Sequence, residues 1–364
     1  MSKKGRNTSI KKQPIWAAGL LAFILLLIAL RQNPLWIEKY YFSGFYRAVC
    51  HVLRPVFGFV PFSVGDVLYT VVIFLLIAGV MELLYFLFTG KFKQVGRLLL
   101  RFFIALEIAW IWFYCFWGLN YYRPPAAQLL GLNDTSYTIK NVDSVTAILI
   151  DSANAYRARL DTFSFHQSNA DIYRHAVAAV KKQSGAGPEF RVISPGIKSS
   201  WFSYLLNYMG TSGYYNPFTT ESQLNYMMPV FDKPFIASHE LSHQTGFARE
   251  DEADFAGFAA GINADDHLQR YSAYYAGVGE FMRYLRRRDT LAHRRLRLKI
   301  SSQVMEDFKT DSAYWTKYEG GAERVSGIFY DRFLKANNQP HGLRTYNRMI
   351  LLTMAYYRKR YGAW

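Results

Sequence analysis

Ser238-His239-Glu240-Leu241-Ser242-His243-Gln244-Thr245-Gly246-Phe247-Ala248-Arg249-Glu250-Asp251-Glu252-Ala253-Asp254 joins an HExxH to an ExxAD, and its reading decides the fold around it. If residues 235–245 are helical, His239 and His243 stand four apart on one face, about 6 Å apart along the axis, so both imidazoles can converge on one ion. This is the spacing of a zinc pair. Glu240, one residue on from the first histidine, does not point at such an ion but lies close enough to act as general base.

A catalytic zinc usually takes three protein ligands, which leaves a third to be found. On an unbroken helix Glu250 would lie seven residues past His243, about 10 Å further along the axis and out of reach. Gly246 offers a turn, because glycine alone takes the left-handed helix-ending conformation at little cost. A second helix beginning near Arg249 would then place Glu250, Ala253, Asp254, Gly257 and Gly261 on one face. That face is small enough to pack closely on the first helix. Glu250 becomes the expected third ligand, and Asp254 is placed to accept the remaining ring N–H of a ligand histidine. Glu252 is the rival, but it lies about 200° around the helix from Glu250 and is expected to be a solvated carboxylate.

With these residues in place, the chain resembles the gluzincin peptidases, and it also resembles a family of bacterial membrane proteins known only as a domain of unknown function. The second likeness is carried by Trp117-Gly118-Leu119-Asn120-Tyr121-Tyr122-Arg123-Pro124, by Gly213-Tyr214-Tyr215-Asn216-Pro217-Phe218-Thr219-Thr220-Glu221, and by the run from His239 to Phe255. The gluzincin resemblance implies zinc on His239, His243 and Glu250, with Glu240 as base. The chain departs from that pattern in how soon the third ligand follows. Its spacing is similar to the compact HExxHxxGxx of metzincins, whose ligand position falls here on Arg249, which cannot bind zinc.

Outward from the motif, the 364 residues carry a formal charge of +16 and 17% aromatic residues, more than an average soluble domain needs and suited to membrane interfaces. Nucleic acid is set aside as a partner, since no nucleic-acid motif appears and part of the charge flanks apolar runs. Three such runs, 14–30, 67–88 and 98–119, are long enough to cross a bilayer. The N-terminus and the loop around Lys91, Lys93 and Arg97 hold eight basic residues against four in 31–65, which predicts an inside N-terminus and an outside C-terminal domain. No small-x-small cleavage site follows Leu30, so the first run reads as a retained anchor. Residues 36–53 are amphipathic and expected to lie along the outer interface. Glu82 and Glu107 fall within apolar runs, and Cys50 and Cys115 make no disulfide framework.

The division expected is a membrane anchor at 1–120 and an α+β, mostly α, zincin-like extracytoplasmic domain at 121–364. Helices are predicted at 142–160 and 168–183, a turn at Ser184 to Pro188 and a short strand at 190–193. Residues 212–219 and 222–229 read as strands. In the peptidases resembled, the strand before the HExxH helix is an open edge that pairs with an extended substrate, a role open here to 213–220 or 224–228, with Tyr214, Tyr215 and Asn216 as candidate substrate contacts. Arg283 to Lys299 is strongly basic and suits an anionic lipid or polymer. Tyr330, His341 and Tyr346 are candidates for stabilising an oxyanion, and their spacing does not choose among them.

The expectation is therefore a zinc-dependent peptidase acting on peptide or protein substrates, held in the lipid bilayer of a bacterial inner membrane. A catalytically silent zinc-binding sensor or interaction module is the alternative. An intramembrane protease is disfavoured, because Lys233, Glu240, Arg249, Glu250 and Asp251 surround the motif with charge.

Overall fold

The computed structural model describes residues 3–132, 136–343 and 349–362, with side chains from residue 13 onward. Three helices lead: α1 (Lys3–Leu30), then, after a connecting segment, α3 (Val64–Phe88) and α4 (Phe92–Phe116). Windows in all three are long and apolar enough to cross a membrane. Between α1 and α3, a π-helical turn (Ile37–Tyr46) runs into α2 (Arg47–Gly58).

The apolar face read from the sequence of this connecting segment is divided between the protein interior and the surface. Ile37, Tyr41, Phe42, Tyr46 and Cys50 are buried in one cluster with Trp117, Leu119, Tyr121 and Ala248. The apolar stripe covers the start of the C-terminal domain, while Tyr40, Phe45, Val52 and Val56 remain exposed on the other side. Segment 36–58 thus packs with the domain that follows α4.

That domain is mostly helical around one small sheet. Its helices are α5 (Ile139–Arg157), α6 (Asn169–Gln183), the short α7 (Ser203–Tyr208), α8 (Lys233–Gln244), α9 (Glu250–Ile262), α10 (His267–Arg288), α11 (Thr290–Arg297), α12 (Ser302–Thr316), α13 (Gly321–Ala336) and α14 (Met349–Tyr361). Side-chain caps mark where many begin. Thr138 forms a capping box with Asn141 at α5, Ser168 caps α6, and Asp266 caps α10. The main core joins α5, α9, α10 and α14 through Leu149, Phe255, Phe258, Phe281 and Ile350, all at most 1% exposed.

The sheet has strands β1 (Ile197–Ser199), β2 (Gly213–Asn216) and β3 (Glu221–Leu224) in the order β1-β3-β2. β1 runs parallel to β3, whereas β2 runs antiparallel, with Gly213 opposite Leu224 and Asn216 opposite Glu221. The strand expected at 190–193 is absent. Pro188 opens a 3₁₀ turn over Pro188–Phe190, Ser194 takes a φ of 43°, and pairing begins only at Ile197. Of the two candidate edges, 213–216 is the edge and Leu224 ends the central strand.

The sheet is fastened to the end of α3. Ser63 caps that helix, and the Glu221 carboxylate accepts from the free N–H groups of Val64 (3.3 Å) and Gly65 (2.7 Å), where the helix dipole favours an anion. Lys198 donates to Glu221 at 2.6 Å and to the carbonyls of Phe57 and Phe62. Asp66, itself in α3, accepts from the Trp201 N–H at 2.7 Å and from the Tyr214 hydroxyl. The Glu221 and Asp66 carboxylates at the centre of this joint are buried and Lys198 is nearly so, which makes the joint costly to open.

Candidate metal centre

α8 ends as its glycine predicts. Gly246 has φ 95°, and a Cβ there would lie 2.3 Å from the Phe42 ring and 2.8 Å from the Arg123 guanidinium. Both the left-handed backbone and the close approach therefore require glycine. Its carbonyl accepts from Arg123 Nη1 at 2.9 Å, while the same guanidinium pairs with Glu38 and lies over the Phe42 ring. The chain then reverses into α9, with Arg249 at its N-cap.

This reversal brings Glu250 back to the histidines. His239 Nε2 lies 3.3 Å and His243 Nε2 3.7 Å from one oxygen of Glu250. Ligand atoms bound at about 2.0–2.2 Å in a tetrahedron would be spaced about 3.3–3.6 Å apart, and these two separations are of that size, while Glu240 and the two histidines also form a group that could hold an ion. The outward nitrogens are committed elsewhere: His239 Nδ1 bonds Asp254 Oδ1 and His243 Nδ1 bonds the Phe247 carbonyl, each at 2.7 Å. A carbonyl accepts only, so His243 carries a proton on Nδ1 and turns Nε2 towards Glu250. Asp254 does for His239 what Phe247 does for His243.

Glu240 stands beside this group, its carboxylate within 4.8 Å of the donor atoms of both histidines. One of its oxygens is buried with no partner among the described residues. Glu250, by contrast, is engaged on both sides, since Tyr330 donates its hydroxyl to the second oxygen at 2.8 Å. Burial pushes the Glu240 carboxyl up to about 7, although the two imidazoles pull against it. Burial also opposes charge on Glu250, but His243 and His239 together outweigh it and hold that carboxyl well below the usual range.

Glu252 corrects the expectation of a solvated carboxylate. It is 8% exposed, accepting the Ala126 N–H at 2.8 Å and pairing with Arg249 at 3.1 Å. The face of α9 opposite Glu250 is covered by the segment leaving α4, so both faces of this helix are interior.

The group opens into a cleft of about 1570 Å³. The edge strand β2 forms part of its wall next to Glu240: a Cβ on Gly213 would lie 2.9 Å from Glu240 Oε1. Tyr215 packs between Trp117 and the His243 ring, at 4.3 and 6.2 Å between centroids. Tyr214 also borders the cleft, with its hydroxyl tied to Asp66. Asn216 does not reach it. Its side-chain oxygen instead accepts from Phe218 and Thr219 N–H groups, shaping the turn to β3. Of the three oxyanion candidates, Tyr330 lines the cleft, His341 is exposed, and Tyr346 lies outside the described residues.

Other lining residues were not singled out for this place by the sequence. Arg286, Arg297 and His293 bring part of the basic run onto the cleft wall, and Tyr69, Val72 and Ile73 bring one face of α3. The basic run was visible as charge, but only the packing of α10 and α11 shows which of its members turn inward. Glu107, in α4, is buried with neither carboxylate oxygen partnered among the described residues, whereas Glu82 is exposed.

A family model described as "Protein of unknown function (DUF3810)" matches residues 41–354, and the chain belongs to that family. The match takes in most of the connecting segment, two of the three apolar helices and the whole cleft. No curated protein and no solved structure matches the chain.

Proposed function

We propose that this member of the DUF3810 family is a membrane-anchored, zinc-dependent peptidase with a zincin-like domain on the extracytoplasmic side. One observation carries the reading: the Nε2 atoms of His239 and His243 lie 3.3 and 3.7 Å from one Glu250 oxygen, beside a buried Glu240 oxygen with no partner among the described residues and next to a sheet edge. His239, His243 and Glu250 would hold the ion. Zinc at this place supplies a Lewis acid that acidifies water and polarises a scissile carbonyl.

The chain's own residues would do the rest. Backbone groups of 213–216 pair with an extended peptide and set its carbonyl in the cleft. Glu240 takes a proton from water and returns it to the leaving amine, a contribution of about 10²- to 10⁴-fold in rate. Burial raises this carboxyl, which favours its taking a proton. Asp254 and the Phe247 carbonyl keep the imidazoles in the ligand tautomer, and Tyr330 holds the Glu250 carboxylate. The basic N-terminus and basic 89–97 loop support the extracytoplasmic side.

The test uses the full chain in lipid nanodiscs with a mixed peptide library, and zinc content read by mass spectrometry. Glu240→Gln is expected to keep zinc and lose cleavage, while His239→Ala loses both. If zinc-loaded wild type cuts nothing that Glu240→Gln fails to cut, the peptidase reading gives way to a zinc-binding module.

A further inference from the structure

The cleft does not stop at the domain. Tyr69, Val72 and Ile73, spaced i, i+3 and i+4, present one face of α3 to the same cavity as Glu240, and Phe113 of α4 joins them. α3 has 25 residues, of which an apolar layer about 30 Å thick occupies about 20. Whichever 20 it takes, Val72 and Ile73 lie inside it. The cavity that holds the candidate metal group therefore has a wall below the surface of the bilayer.

The rims agree with this placement. Trp201 stacks on Phe62, four residues before Asp66, at 5.5 Å, which puts α7 at the level of the α3 terminus. From there Trp201, Tyr204, Leu205 and Met209 are 36–61% exposed, the aromatic and apolar composition of an interfacial segment, and Leu205 and Met209 also line the cleft. α13 bridges from this rim to α4. Its Glu323 lies against Gly210, and its Phe333 meets Phe113 edge-on at 5.9 Å. Ser326, Gly327 and Tyr330 between them face the cavity. A soluble peptide has no use for a wall at the depth of Val72, whereas a chain that leaves the bilayer beside α3 would pass it on the way to Glu240.

We infer that the substrate is a polypeptide held in the membrane by an apolar anchor and cut within a few residues of where it leaves the apolar layer. This rests on the peptidase reading. The full chain is reconstituted in liposomes with a peptide library joined to a transmembrane segment through spacers of about 4 or about 30 residues, at equal surface density. Parallel arms carry the same spacers on an acyl chain, or no anchor. The expected result is at least tenfold faster cutting of the short-spacer form, with the anchor type that shows it naming the class. Equal or faster cutting of the long-spacer or free form overturns the inference and leaves the peptidase standing.

Binding is read separately in Glu240→Gln by a photocrosslinking amino acid at position 72 or, on the opposite face of α3, at position 74. Capture of the short-spacer form at 72 and not at 74 is expected. Capture at 72 with no cleavage by wild type in any arm overturns the peptidase but keeps the tethered ligand. No preference for 72 overturns the inference whether or not cleavage occurs.

Discussion

Gly257 lies against the backbone of His239: a Cβ at Gly257 would come within 2.8 Å of the His239 nitrogen and 3.0 Å of its Cα. The obstacle is main chain in the middle of α8, which cannot swing aside as a side chain would. Gly257→Ala must push α9 away from α8, and Glu250 sits two turns upstream on the helix that moves. The expected outcome is a folded protein whose zinc affinity falls at least tenfold in a chelator competition, with Gly257→Ser worse. Unchanged affinity would mean that Glu250 does not complete the site.

The two glutamates of α9 separate by what each one holds. Glu250→Ala should lose zinc with little effect on the fold beyond the site. Glu252→Ala should keep zinc but leave the Ala126 N–H and Arg249 without their acceptor, costing about 1–3 kcal/mol. Zinc by mass spectrometry and a thermal melt of the metal-free proteins, side by side, check both halves. Retention in the first with loss in the second reverses the assignment.

A third expectation concerns pH and lies away from the metal group. Asp232, at the start of α8, is raised well above the usual carboxyl range by burial first and then by Asp311 and Asp307. A carboxyl raised on folding contributes its full stability below its unfolded pKa of about 3.9, and that contribution is lost as pH rises through the folded value. The Asp232–Asp311 pair therefore weakens the protein towards neutral pH, even with Arg283 near Asp311. Asp311→Asn should raise the melting temperature at pH 8, by roughly 2–4 °C for each kcal/mol relieved, with the gain fading towards pH 4. A gain of equal size at both ends would point to packing instead.

Charge on the cleft wall gives a fourth. Arg286 and Arg297 line the cavity without being expected to touch the reacting bond. Arg286→Glu with Arg297→Glu should raise KM for acidic peptides several-fold at low salt, leave kcat near wild type, and lose its effect as salt screens the wall. A fall in kcat with KM unchanged would argue against an electrostatic role.

What the sequence shows of this protein follows the range over which its residues act. The HExxH pair, the Gly246 reversal and the Glu250–Asp254 face are encoded within 16 residues, where helical geometry alone fixes what can meet. The α5 and α6 helices are likewise legible from local caps and apolar spacing. The joint of Asp66 with Tyr214, and of Val64 and Gly65 with Glu221, spans about 150 residues of chain, and no local period announces it. Glu252 was misjudged for a related reason: a helical wheel assigns one face to the interior, and it cannot foresee a second segment arriving at Ala126 to cover the other.

The joint at the end of α3 has a mechanical meaning. Because Asp66, Glu221 and Lys198 lock the sheet to a helix of fixed length, the height of β2 above the bilayer is not adjustable by loop motion. On the inference drawn above, the joint would act as a depth gauge: an anchored chain laid along β2 would be measured from the lipid surface before its side chains were read. A thicker bilayer would tilt or stretch its fit around α3 and carry that datum with it, so lipid thickness itself would reset where along a chain the gauge falls.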